Sequence, residues 1–160
     1  MNTILTKMGQ WGLMTLPKRY EDLANALDEI ALHLRVIGEG STARDYEIAA
    51  SGLRTAESIP MNPAELDYID ESVRDSVAEW RSYGEIDKLQ EFREKRPWLS
   101  SLTTIAGIGP KRAQTIHEET GAANIKDIRQ LRENGELEDI SGIGPKTATT
   151  IRRSIAQLET

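Results

Sequence analysis

Apolar positions along this chain recur at intervals of three and four, the spacing of one face of an α-helix. Leu23, Leu27, Ile30 and Leu34 form such a stripe over residues 17–37, opened by Pro17 and closed by Gly38. Tyr46, Ala49, Ala50 and Leu53 form a second over 41–58, with Ser41 as its expected N-cap. Ile59-Pro60 and Asn62-Pro63 break that helix. A third stripe (Leu66, Ile69, Val73, Val77 and Trp80) covers 63–83 and stops at Gly84. Ile86, Leu89 and Phe92 mark a fourth helix, and Pro97-Trp98 closes this half. No stretch alternates with period two, so the expected fold class is all-α. Residues 1–16, apolar in places but broken by Gly9 and Gly12, read as an N-terminal arm.

Beyond residue 98 the stripes give way to a repeat. LTTIAGIGPKRAQTIH (102–117) and LEDISGIGPKTATTIR (137–152) match at an offset of 35 residues in Leu, Ile, GIGPK, Ala and Ile. In each copy a short apolar helix, marked by Leu102 and Ile105 or by Leu137 and Ile140, ends at glycines that permit positive φ and close backbone approach. Ile108 or Ile143 is the plug between those glycines. Pro110 or Pro145 takes the first position of the next helix, where a missing N–H costs nothing. Ala113 and Ile116, like Ala148 and Ile151, then pack back on the first helix. The product is a hairpin of helices with free N–H groups at a helix N-terminus beside Lys111 or Lys146. Those donors, the helix dipole and the lysine suit an anionic phosphate. The Pro-Lys after the glycines and the glycine spacing both differ from a nucleotide-binding P-loop.

These two copies resemble the helix-hairpin-helix, a motif that binds the DNA backbone without reading sequence and that, in pairs, grips both strands across the minor groove. The resemblance implies DNA contacts at Gly107, Ile108, Gly109, Pro110, Lys111 and Arg112, and at Gly142, Ile143, Gly144, Pro145, Lys146 and Thr147. It also implies a monovalent cation, K+ or Na+, on the backbone carbonyls of Thr103, Ile105 and Ile108, with Glu138, Ile140 and Ile143 in the second copy. No other cofactor is expected. Degenerate pairs of this kind mediate dimerisation in some nuclease subunits, which leaves a protein-interaction scaffold as the alternative.

The first half, with its runs YEDLANALDEIALHL, DYEIAASGLRTAESIP and LDYIDESVRDSVAEWRSYGEIDKLQEF, resembles the lyase-type N-terminal domain of family X DNA polymerases. That resemblance spans roughly residues 18–158 and implies a four-helix lyase-like domain followed by the tandem hairpins, with domains at 17–98 and 99–160. Where the family's first hairpin carries two glycines and two lysines, this chain has Ile69-Asp70-Glu71-Ser72 and then Ser76. Ser76 holds the position of the Schiff-base lysine, and a hydroxyl cannot form an imine with an abasic sugar. Of the 5′-phosphate pocket Tyr46 survives, as an ordinary half-buried aromatic, while the nearby basic positions are Ser41 and Thr42; Lys88 lies on a later surface helix. The 160 residues hold no nucleotidyl-transfer palm with metal-binding aspartates. The expectation is therefore a non-enzyme, with an abasic-site (5′-deoxyribose phosphate) lyase using a relocated amine as a further alternative.

Composition adjusts this picture in two ways. The chain has no cysteine, two isolated histidines (His33, read as a boundary residue, and His117) and no run of 18 apolar residues. Disulfides, thiolate metal sites and a membrane span are thereby excluded, and with no secretory signal the expected location is cytoplasmic, on the nucleoid. The net charge of −6 is unusual for a DNA binder, but it is unevenly placed. Residues 1–99 carry 12 Lys and Arg against 18 Asp and Glu, whereas residues 100–160 carry 8 against 8. A neutral hairpin pair with local cations predicts weak, salt-sensitive binding to duplex, nicked or gapped DNA, in repair or replication by family analogy. The acidic half offers a surface for a basic protein partner.

Overall fold

The computed structural model describes residues 16–56 and 66–159, with side chains from Tyr20 onward. Among these are eight α-helices and no strand, so the molecule is all-α as the patterning predicts. The expected arm lies outside the described residues save for Leu16, and so do the Ile59-Pro60 and Asn62-Pro63 breaks.

The chain divides into two compact units, one of residues up to Ala31 with Glu39–Gln90, the other of Leu32–Gly38 with Glu91–Thr160. The first holds most of α1 (Leu16–Val36), then α2 (Gly40–Thr55) and α3 (Glu71–Tyr83), and the start of α4 (Asp87–Lys95). Its core is the three expected stripes: Leu23, Leu27 and Ile30 from α1, Tyr46, Ala49, Ala50 and Leu53 from α2, and Val73, Val77 and Trp80 from α3, all buried. Tyr46 is not half-buried as expected but wholly enclosed at 0% exposure, because its hydroxyl finds a partner in Ser76 Oγ at 2.7 Å. A hydroxyl so satisfied no longer needs water.

Two helix starts differ from expectation. Ser41 does not cap α2; the helix begins a residue earlier, behind Glu39, whose side chain makes no capping bond. The α3 helix starts at Glu71 and not near residue 63. Asp70, in an extended conformation, accepts the Ser72 N–H at 3.0 Å and thereby fixes the N-terminus. The stretch 66–69 is a turn instead, closed by Ile69 N–H to Leu66 O at 3.1 Å.

The second unit contains the repeat. α5 (Pro97–Thr103) and α6 (Pro110–Thr120) form the first hairpin, and α7 (Ile125–Glu133), a 3-10 turn at Leu137–Asp139 and α8 (Pro145–Leu158) form the second. The residues marked from the sequence build one apolar cluster: Leu102, Ile105, Ile108, Ala113 and Ile116 with Leu137, Ile140, Ile143, Ala148 and Ile151, none above 4% exposed. Ile105 and Ile140 do not belong to helices; they lie in the turns that follow. α7 lies where the sequence suggested only a connector. Asn124 caps it by accepting the Asp127 N–H at 2.9 Å, and Asp127 returns the bond by accepting the Ala123 N–H at 2.9 Å, a reciprocal cap that stabilises a short helix. His33 is buried at 0% exposure, not a boundary residue. Its Nδ1 accepts the Arg96 Nε–H at 3.0 Å and its ring stacks on Phe92, while burial pulls the Arg96 guanidinium below its ordinary pKa.

Candidate nucleic-acid interface

The two GIGPK turns adopt one backbone geometry. Gly107 and Gly142 have φ of +92° and +81°, in the left-handed region where a side chain is strained. The next residue, Ile108 or Ile143, turns inward, and its N–H is held by Ile105 O or Ile140 O at 3.1 Å in both copies. The backbone then extends through Gly109 (φ −87°, ψ −179°) and Gly144 (φ −90°, ψ −178°), which cap α6 and α8. Pro110 and Pro145 open the helices. The carbonyls of Gly109 and Gly144 take the N–H of Ala113 and Ala148 at 2.8 and 2.9 Å. The N–H groups before that bond belong to the first helical turn, which has no intrahelical acceptors, and they carry the positive end of the helix dipole.

The glycines divide into two kinds. Gly107 and Gly142 are required by their positive φ, and at Gly107 a Cβ would also come 3.2 Å from Ile151 Cγ1 and 3.3 Å from Thr150 Cγ2. Gly109 and Gly144 have dihedral angles open to any residue, and a Cβ on either would meet no protein atom within 4 Å. Neither backbone strain nor crowding by the protein requires glycine there, and its one advantage in folding is as an N-cap. A ligand that approaches the backbone closely does require it.

Around these turns the cations are placed unequally. Lys111 and Lys146 are both exposed, one residue into their helices. Arg152, in α8 of the second hairpin, pairs with Glu138 at 3.2 Å. Arg112 turns toward the protein: its Nη1 donates to Gly107 O at 2.8 Å and its Nη2 reaches Gly142 O at 3.5 Å. Thr147, its counterpart in the second copy, is half-buried.

The repeat exchanges bonds between copies. The Ala106 N–H donates to Ser154 Oγ at 2.9 Å, and the Ser141 N–H donates to Glu119 Oε1 at 3.1 Å. Ala106 and Ser141 are equivalent positions at the 35-residue offset, and so are Glu119 and Ser154. Each turn is thus fastened by the second helix of the other copy. The sequence reading missed this pair, because a Glu and a Ser at matched positions look unrelated until both are seen as acceptors.

The carbonyls of Thr103, Ile105 and Ile108 could hold a monovalent cation, as could those of Glu138, Ile140 and Ile143. Ile105 O and Ile140 O each accept one N–H already, and a carbonyl oxygen keeps a second lone pair. The histidines serve packing. His117 stacks on Trp98 with ring centroids 4.6 Å apart, and its Nδ1–H donates to Ala122 O at 2.9 Å, since a carbonyl can only accept. In the first unit Asp45, Ile48, Asp67, Tyr68 and Asp70 line a pocket of about 170 Å³. Ser72 Oγ donates to Asp70 at 2.9 Å and lies 3.2 Å from Asp45, and the Ser72 backbone and hydroxyl hold the Asp70 carboxyl below its usual pKa. Among the described residues no helix is long and apolar enough to cross a membrane.

Residues 99–157 match the family model of the SAM-like helix-hairpin-helix tandem, which covers both hairpins and the reciprocal bonds between them. The C-terminal unit is a helix-hairpin-helix tandem, and domains of this kind generally bind DNA without sequence specificity. Comparison with curated proteins gave no match.

Proposed function

We propose that this protein is a non-catalytic DNA-binding protein that holds the phosphate backbone at its two GIGPK turns and reads no bases. The observation that carries the reading is the second glycine of each turn. Gly109 and Gly144 stand at the N-termini of α6 and α8 with space where a Cβ would be, and both are followed by an exposed lysine two residues on. Phosphate oxygens fit such a place, since they accept hydrogen bonds from backbone N–H groups and are attracted by the dipole and the lysine charge. Duplex, nicked or gapped DNA would serve equally at the level of a phosphate contact, and repair or replication is the setting the resemblance suggests. A cation on the turn carbonyls would add positive charge beside the same phosphates.

Replacing both Lys111 and Lys146 by Glu tests the assignment. The double variant should keep its helical circular dichroism and melting temperature, because both side chains are exposed, while DNA affinity falls by about two orders of magnitude. Binding equal to wild type would remove the turns from the interface.

The non-catalytic reading draws on the resemblance to family X polymerases, by which Ser76 takes the position of the Schiff-base lysine; its hydroxyl is buried against Tyr46. Lys88 Nζ, on an exposed side chain, lies 5.7 Å from the centroid of the Tyr46 ring. A second reading, a basic protein partner on the acidic half, draws on the pocket between Asp45, Asp67 and Asp70. Capture of a Lys/Arg-rich peptide that is lost in an Asp45→Asn/Asp67→Asn variant would support it, and no difference between variant and wild type would end it.

A further inference from the structure

We infer that Arg112 is a strap between the two turns, setting their relative position, and is not itself a phosphate ligand. The inference rests on the DNA-binding reading for its functional half. Its structural half stands alone. Arg112 follows Lys111 in the first helical turn of α6, where a basic side chain would be expected to face a bound backbone. Instead the guanidinium spans two carbonyls of its own domain, Gly107 O at 2.8 Å and Gly142 O at 3.5 Å. Those carbonyls belong to equivalent residues of the two copies, the left-handed glycines with φ of +92° and +81°. One planar fork therefore joins the same point of both turns.

The rest of the domain explains why such a joint matters. The Ala106 N–H is held by Ser154 and the Ser141 N–H by Glu119, so each turn already depends on the opposite copy. The second copy has Thr147 at the position of Arg112 and offers no return strap. Arg112 bridges turn to turn directly. Two phosphate sites act together only when their spacing matches that of the backbone they grip, and loss of a fixed spacing is read as weaker binding without loss of any phosphate contact. Arginine suits the role and lysine does not. A guanidinium presents several donors in a rigid plane and can satisfy two acceptors at once, while an ammonium is a single point on a flexible stem.

Two substitutions in the full chain, Arg112→Gln and Arg112→Lys, separate strap from ligand. Without DNA, amide NMR of Arg112→Gln should show a displaced Ile143 N–H, which shares its peptide unit with Gly142 O and lies 31 residues down the chain. Changes confined to Gly107–Lys111 would overturn the strap, whether or not the protein binds DNA. With DNA, both variants should bind about five- to tenfold more weakly than wild type, each with the wild-type dependence of affinity on salt. An Arg112 that contacts phosphate gives another pattern. Arg112→Lys then retains most of the affinity, and Arg112→Gln loses about 0.9 from the slope of log K against log salt. Either result, or an Arg112→Gln variant that binds as wild type does, overturns the proposal. A wild-type chain that binds no DNA would refute the functional reading instead, leaving the NMR result to decide the strap.

Discussion

Adding one methyl group at Gly109 and one at Gly144 should separate folding from binding. Both residues have dihedral angles that alanine adopts freely, and neither new Cβ would meet a protein atom within 4 Å. Alanine is a poorer N-cap than glycine, a loss of up to about 1 kcal/mol at each helix, and its smaller freedom in the unfolded chain returns about 0.4–1 kcal/mol. The two nearly cancel, so stability should stay within about 1 kcal/mol per site. A phosphate held against the same backbone has no such tolerance. Losing one charge-assisted hydrogen bond costs about 1.5–3 kcal/mol, or roughly ten- to a hundredfold in affinity per turn. Gly107→Ala is the control and should behave in the opposite sense. At φ +92° the strain alone is about 1–2 kcal/mol, and contacts of 3.2 and 3.3 Å with α8 add to it. Thermal melts followed by circular dichroism, with anisotropy titrations of labelled duplex, measure both quantities. A Gly109→Ala/Gly144→Ala protein that folds and binds as wild type does would refute the argument that the second glycine is kept open for a ligand.

Three further outcomes follow from the first unit. Ser76→Ala strands the enclosed Tyr46 hydroxyl and should cost about 1–3 kcal/mol by thermal melt, while Tyr46→Phe/Ser76→Ala together should recover most of it; equal stability of the single variant and wild type would contradict the buried bond. The Asp70 carboxyl titrates below its ordinary value because the Ser72 N–H and hydroxyl favour the charged form, so its stabilisation is present above about pH 4 and is lost as pH falls through the lowered value. Asp70→Asn, which keeps the cap but cannot titrate, should flatten the fall of melting temperature with acid, and an unchanged profile would remove Asp70 as a cause. Borohydride treatment with a 5′-deoxyribose phosphate end should trap no covalent adduct, and an adduct on any lysine would establish lyase chemistry.

Most of the second unit was legible because its constraints are local. GIGPK specifies a left-handed glycine, an inward Ile and a proline-opened helix within five residues, and every apolar position marked in the repeat is buried. What the sequence hid were bonds across the repeat. Arg112 looked like one more cation beside Lys111, and only the nearness of Gly107 O and Gly142 O turns it inward. The α7 helix was legible in principle through Asn124 and Asp127, a reciprocal cap over a short Ile125, Ile128, Leu131 stripe. In the first unit periodicity located the buried faces well, but it carried the third helix back toward residue 63. The apolar spacing of Leu66 and Ile69 continues the stripe back across the point where the Asp70 cap starts the helix.

The most direct test of the central claim is fluorescence anisotropy of the wild-type chain with two duplexes of unrelated sequence over a salt series. If the turns grip phosphates alone, the two duplexes bind equally well, and with four to six contacts log K falls against log salt with a slope of about −4 to −5. A slope near zero, a marked preference for one sequence, or no binding at low salt would contradict it.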